Sequence, residues 1–249
     1  FKTKKTNKHF EYIFYIEKKK IKDALYESPL NYIGSKYKAV PKIKKYLPNK
    51  INTFVDVFGG GFNVGINISA KNIIYNDINH LVVDLIKFFK FTDIYKFILK
   101  VKNLIKKYDL KPQQKEGYIK LRNLYNSKNL KDREPIMLFT LVLYGFNQQI
   151  RFNSEHCFNN PVGMRWFNDL VLELLISFTR VLKEKKIEFL SKDFIDLRSE
   201  INKNFFLYMD PPYQLTVSSY NDGKRGFKGW NKILESQFVK FANELNKDG

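Results

Sequence analysis

Cysteine is nearly absent from this chain of 249 residues, where Cys157 stands alone. One thiol excludes an internal disulfide framework and a cysteine-rich zinc site, and it suits a reducing, cytoplasmic setting. Three histidines leave little material for a structural metal centre, so no metal is expected. Acids are also in short supply. There are 25 Asp and Glu against 44 Lys and Arg, a formal net charge of +19. Such an excess points to a polyanionic partner, although a Lys-, Asn-, Ile-, Phe- and Tyr-rich chain is also what an AT-rich genome produces. No apolar run approaches the ~18 residues of a membrane span. Lys2, Lys4, Lys5 and Lys8 are not followed by the apolar stretch of a secretory signal.

Core material is plentiful. Hydrophobic residues make up 44% of the chain, with 23 Phe and 15 Tyr. That is enough for one large domain, or for a core domain carrying a smaller insert. The chain starts at Phe1 rather than Met and stops at Gly249 just after a helical pattern, so both ends are expected to be shortened relative to the natural product.

The stretch around which the rest is arranged is Asp210-Pro211-Pro212-Tyr213. It follows the apolar run 205–209, which predicts a buried strand. Two prolines cannot continue a ladder, so the chain turns there. A carboxylate, a stiff turn and an aromatic ring are thereby presented at the carboxyl end of a strand, where open α/β sheets bind ligands. The set suits modification of an amine on a flat ring: Asp210 and the Pro211 carbonyl can accept from the amine, and Tyr213 can stack on the ring. A plain turn after a core strand would look the same if this stretch stood alone.

Residues 1–28 are basic with aromatic interruptions and read as an outer arm. Asn31 to Lys38 is a loop containing Gly34-Ser35-Lys36, followed by a helix through Ile43. The upstream Gly of a phosphate-binding P-loop is missing, and Lys36 could instead meet a carboxylate. Residues 53–57 predict a strand, and Phe58 to Gly65 a glycine-rich turn. Ile66 to Ala70 then predict the start of a helix, whose N-terminus would favour negative charge. A second strand, 72–75, leads into Asn76-Asp77. Asp77 lies close to the ~20-residue offset at which an acid takes ribose hydroxyls in nucleotide-binding α/β units.

A helix is predicted over 80–90, then helical segments over 93–107, 115–127 and 133–146 with no strand of the main sheet among them, as in a helical insert. It closes with Asn147, Arg151, Asn153, Asn159 and Pro161 crowded into a loop or hairpin with aromatics. Amides can pair with adenine edges, and Arg with guanine or phosphate. A helix over 168–183 returns to the main domain. A third strand over 187–190 ends at Asp193-Phe194, an acid and a ring that could hold a purine, or simply a helix cap. The segment 214–230 reads as a basic loop suited to a lid, and a last helix spans 231–246.

Taken in order, Asn31-Tyr32-Ile33-Gly34-Ser35-Lys36-Tyr37, Phe54-Val55-Asp56-Val57-Phe58-Gly59-Gly60-Gly61, Asn76-Asp77-Ile78-Asn79, the insert's Arg151-Phe152-Asn153 with Phe158-Asn159-Asn160-Pro161-Val162-Gly163, Lys192-Asp193-Phe194 and Asp210-Pro211-Pro212-Tyr213 resemble the motifs of the Dam-like, D12 class adenine-specific DNA methyltransferases. The resemblance runs from about Asn31 onward. It implies an α/β, doubly wound, Rossmann-like sheet of the S-adenosylmethionine-dependent methyltransferase kind, with a helical DNA-recognition insert. The catalytic domain would be 1–92 with 171–249, and the insert 93–170. The same resemblance assigns Tyr32, Lys36, Asp56, Phe58, Gly59 and Gly61 to the S-adenosylmethionine pocket, Asp77 to its ribose, and Asp193 and Phe194 to its adenine. Asp210, Pro211, Pro212 and Tyr213 would hold a flipped-out target adenine, and Asn147, Arg151, Asn153, Asn159 and Pro161 the DNA. It implies methylation of the 6-amino group within a specific duplex sequence by a monomer, as the modification half of a restriction–modification system with a cognate endonuclease as candidate partner. The family often has Gly-Gly-Lys where this chain has Gly34-Ser35-Lys36, and its sheet normally continues past the last helix seen here. Other readings are methylation of the cytosine 4-amino group, which usually goes with Ser in place of Asp210, RNA in place of DNA as substrate, a DNA-binding module without catalysis or a fragment of a larger fused enzyme, and a nicotinamide-dependent oxidoreductase.

Overall fold

Short apolar runs ended by turn residues become the strands of one sheet. The computed structural model describes residues 25–202, 204–212 and 230–247. Most of the basic arm, Tyr213 and nearly all of the 214–230 loop therefore lie outside the described residues. Strands β1 (Thr53–Asp56), β2 (Asn72–Asn76), β3 (Ile187–Leu190) and β4 (Phe205–Tyr208) stand in the order β3-β2-β1-β4, and each neighbouring pair is parallel. Each coincides with a predicted run to within about one residue. Successive side chains alternate across the pleat. Phe54, Ile73, Tyr75, Phe206 and Tyr208 pack into the core on one face, and Val55, Ile74, Phe205 and Leu207 into a second cluster on the other. A parallel sheet covered on both faces needs this two-sided apolar character.

Helices α1 (Val40–Lys44), α2 (His80–Phe91), α3 (Ile94–Lys107), α4 (Lys115–Ser127), α5 (Pro135–Tyr144) and α6 (Asp169–Glu184) contribute to the larger core, while α7 (Lys232–Lys247) packs Phe238 and Phe241 into the smaller one. Four of them start on side-chain caps: Asn79 accepts from the amides of Leu81 and Val82, Asp93 from those of Tyr95 and Lys96, Asn168 from that of Val171, and Asn231 from that of Leu234. At the far end of α6, Lys90 donates to the carbonyls of Leu182 and Lys185, placing a cation where the helix dipole is negative. Helix α5 is apolar all round and is buried from Ile136 to Tyr144, as a helix surrounded by others must be.

The segment 93–170 contributes helices and no strand to the sheet. It does not keep a core to itself. Phe97, Tyr118 and Phe139 are buried in the same cluster as Phe89 and Phe178, and Phe89 stacks edge-on against Phe97, Phe139 and Phe178.

One expectation fails. No α-helix begins at Ile66; a single 3-10 turn, Gly65–Asn67, takes its place. Asn67 uses its side chain to accept from the Tyr26 amide and to donate to the Tyr26 carbonyl, and Asn63 accepts from the Ser28 amide. Ile68 is already extended, and its carbonyl is taken by Lys185. These bonds tie the segment to chain elements on either side instead of letting it coil, so no helix N-terminus faces the glycine turn.

Candidate active site

Because the strands are parallel, their carboxyl ends share one edge. The chain steps outward from β1 to β2 to β3, then crosses back to place β4 on the other side of β1. That reversal opens a crevice beyond the ends of β1 and β4. Asp56 ends β1, Asp77 follows β2, and Asp210 follows β4.

Asp56 is 2% exposed and accepts from the Gly65 amide at 3.1 Å. Burial pushes its carboxyl up to about 7; the Gly65 amide opposes that shift, and the charges of Asp210 and Asp77 add to it. Asp77 accepts from the amides of Gly60 and Asn79, both at 2.8 Å, so it pins the glycine turn to the end of β2. Tyr75 donates its hydroxyl to the Gly60 carbonyl at 2.7 Å. Burial, with the charges of Asp77, Tyr32 and Asp56, raises that phenol far above its usual value and keeps it a neutral donor. Gly60 has φ +48°, and a Cβ there would lie 2.9 Å from the Tyr32 ring; one at Gly59 would lie 2.2 Å from the Tyr75 ring. Only glycine lets the turn pass this close to both rings.

Lys36 reaches Asp210 at 2.7 Å, with side chains 25% and 18% exposed. It meets a carboxylate, as its sequence context allowed. The pair is shielded enough to count for more than a surface ion pair, and wet enough to avoid the full desolvation cost of a buried one. Lys36 also donates to the Gly34 carbonyl, closing its own loop, where Gly34 has φ +80°. Pro211 is half-buried and Pro212 exposed, while Tyr213 lies outside the described residues.

Phe58 and Phe194 come together, their ring centres 5.8 Å apart, but in company with Trp230 and Phe238. Phe194 is buried in the smaller core. Asp193 is half-buried and accepts from the Ile195 amide.

The loop from Gly145 to Gly163 is a short hairpin. Gly145 bridges Val162 and Phe152 bridges Phe158, both antiparallel. Phe152 and Phe158 are buried and root it in the core. Asn153 spends its side chain on the tip, accepting from the amides of Glu155 and Cys157. Arg151 Nε and Asn159 Oδ1 are enclosed with no hydrogen-bond partner among the described residues. Asn147 is exposed with φ 50°, and Pro161 is exposed. Asn31, at the start of the loop that carries Lys36, donates from Nδ2 to the Asn147 carbonyl in the hairpin at 2.6 Å.

Several structuring residues carried no distinguishing signal. Asn76, buried, donates to the carbonyls of Val57 and Lys192 and accepts from the Lys192 amide, locking the ends of β1, β2 and β3 together. Asn63 and Asn67 hold the glycine turn from behind, and Asn160, fully buried, donates to the carbonyls of Phe146 and Gln149. In a chain so rich in Asn, nothing in the sequence marked Asn63 or Asn67, and Asn76 and Asn160 stood inside motifs with no role of their own assigned.

A central all-parallel sheet whose acids and glycine turn share one edge is the arrangement of a Rossmann-like methyltransferase. The chain belongs to the D12 class N6 adenine-specific DNA methyltransferase family, whose model matches residues 32–248. It is 39% identical to Type II methyltransferase M.FokI of Planomicrobium okeanokoites over 96% of this chain and 39% of that protein. It is 37% identical to Modification methylase StsI of Streptococcus sanguinis over 90% of this chain and 34% of that protein. The DNA adenine methylase of Haemophilus influenzae is 27% identical over 79% of this chain and 68% of its own length. The chain thus spans little more than a third of the first two relatives.

Proposed function

We propose that the chain is the catalytic unit of a site-specific methyltransferase that uses S-adenosylmethionine to methylate the 6-amino group of adenine in duplex DNA, within a restriction–modification system. The carrying observation is the Asp210 carboxylate at the β1/β4 crevice, paired with Lys36 and beside the Asp56–Asp77 edge.

The residues suit the cofactor. Asp210 and Asp77 lie close enough to Asp56 to raise it, a concentration of negative charge that favours a cationic ligand. The glycine turn leaves backbone unobstructed by side chains. Asp77, Asp56, Tyr32, Gly59 and Gly61 would hold the ligand, with Asp193, Phe194 and Phe58 on the β3 side. When bound, S-adenosylmethionine supplies a methyl group on an electron-poor sulfonium.

Asp210 and the Pro211 carbonyl accept from the target amine. Its lone pair is otherwise delocalised into the ring, and these bonds favour a pyramidal nitrogen and stabilise the positive charge that develops on it. Lys36 holds the Asp210 carboxylate in place. Tyr213 stacks on the base once it has left the duplex, returning about 1–3 kcal/mol toward an extrusion cost of a few kcal/mol. The segment 93–170 serves as the target-recognition unit, with Asn147, Arg151, Asn153, Asn159 and Pro161 toward the DNA. The exposure of Asn147 and Pro161 supports that assignment. A monomer in the cytoplasm with a cognate endonuclease completes the reading.

The test is transfer of labelled methyl from S-adenosylmethionine to unmethylated duplex DNA by the full-length protein, followed by nucleoside analysis. Label in 6-methyladenine is expected. Label in 4-methylcytosine would change the target base, and no label from folded protein would overturn the reading.

A further inference from the structure

We propose that Asn31 is a positioning residue that couples the recognition hairpin to the catalytic carboxylate. The inference rests on the methyltransferase reading above and extends it. A series of contacts makes a continuous path. At the hairpin end, Asn147 and Gln148 are consecutive left-handed residues, with φ 50° and 53°. Such residues are costly and persist only where surroundings fix them. Here the returning strand fixes them: Asn160 donates to the carbonyls on either side of the pair, those of Phe146 and Gln149, and Arg165 donates to the Gln148 amide oxygen. Any shift of the hairpin on DNA therefore moves the Asn147 carbonyl.

That carbonyl accepts from Asn31 at 2.6 Å. Asn31 opens the loop that ends at Lys36, and the loop is stiffened from within: the Tyr32 amide donates to Leu30, the Ser35 amide to Tyr32, and Lys36 to Gly34. Lys36 then holds Asp210. The Asn31–Asn147 hydrogen bond joins the hairpin to this loop. A hairpin seated on its proper sequence would thus set Asp210, and a hairpin displaced by a wrong base would pull the loop out of register. Coupling of this kind is the differential stabilisation of two arrangements by a ligand at one end.

The experiment uses the full-length protein and compares Asn31→Ala and Asn31→Gln with wild type. Its substrates are duplex oligonucleotides carrying the methylated sequence, once identified by sequencing the product, and single-base variants of it. Three quantities are measured: S-adenosylmethionine Kd, DNA Kd, and the single-turnover rate with DNA saturating. For Asn31→Ala the rate at the proper site is expected to fall about five- to tenfold, the span available to one exposed hydrogen bond, with both Kd values within about twofold. The rate at altered sites should fall much less, so discrimination shrinks. Asn31→Gln, which keeps the donor, should recover most of the loss.

Weaker DNA binding with an unchanged saturated rate would make Asn31 a DNA contact and overturn the coupling. An equal fall at proper and altered sites would overturn it too, as would loss of S-adenosylmethionine binding or no change at all. A wild-type protein that transfers no methyl would instead sink the function reading, and the coupling with it.

Discussion

The strand edge and the hairpin are incomplete in opposite ways. At the edge, hydrogen bonds are made and charge is in excess: Asp77 holds Gly60, Asp56 holds Gly65 and Tyr75 holds the turn from below, yet the acids lie close enough to disturb one another. In the hairpin, Arg151 Nε, Asn159 Oδ1 and Asn160 Oδ1 are enclosed with no partner among the described residues. An excess of negative charge is relieved by a cation, whereas enclosed donors and acceptors are met by a polar edge only where the hairpin opens to admit it. The two regions thus differ in chemistry, in keeping with the sulfonium cofactor proposed for one and the nucleic acid proposed for the other.

The largest effect that would sharpen this contrast is expected at Asp210. Asp210→Ala should lower methyl transfer by about 10²–10³-fold or more, the scale of losing one aligned transition-state partner. The glycine turn is hydrogen-bonded to Asp77 and Tyr75, so calorimetric affinity for S-adenosylmethionine should fall far less than the rate, by no more than the negative charge lost near Asp56 accounts for. Loss of both together would mean that Asp210 builds the edge instead of acting at it. Arg151→Ala should instead reduce discrimination between the proper site and single-base variants by about 1–3 kcal/mol at one position, the range for an arginine–base contact. Because its Nε has no partner among the described residues, its removal should leave the thermal midpoint unchanged or slightly higher. A drop of several degrees with unaltered discrimination would make Arg151 a structural residue and dissolve the contrast.

The same division governs how much of the molecule was legible. The sheet could be read because apolar runs of the right length ended by turn residues have few other fates, and Asp77 and Asp210 follow from where those strands stop. Lys36 could be given a carboxylate partner by elimination, once the P-loop pattern was seen to be incomplete. The helix expected at Ile66 could not be excluded, because what prevents it is remote: Tyr26 and Ser28 come from one side and Lys185 from the other. Asn153 has a second role that its sequence context did not show. Its residue type suits a base edge, but its oxygen closes the hairpin tip. Asn160 passed unremarked inside a motif, although it fixes the turn on which Asn147 sits. Long-range side-chain-to-backbone bonds leave no periodicity for a sequence reading to detect.

The smallest effect bears on the excess charge itself. The folded carboxyl of Asp56 stands at about 7, above its ordinary 3.8. Between those values the folded state keeps a proton that the unfolded chain has released. Its contribution to stability is therefore whole below about pH 4 and is lost as pH rises through about 7. Asn in its place can still accept from the Gly65 amide and carries no charge. Asp56→Asn should accordingly remove this part of the slope, so that its urea midpoint relative to wild type is higher at pH 8 than at pH 5, by about 1–3 kcal/mol in stability. Taking the difference between the two proteins cancels the other titrating groups. If the difference were the same at both pH values, Asp56 would not be changing its charge across that range, and the edge would lack the electrostatic tension that sets it apart from the hairpin. If the difference appeared and then shrank when S-adenosylmethionine was added to both proteins, the positive charge of the cofactor would be identified as what that edge is built to receive.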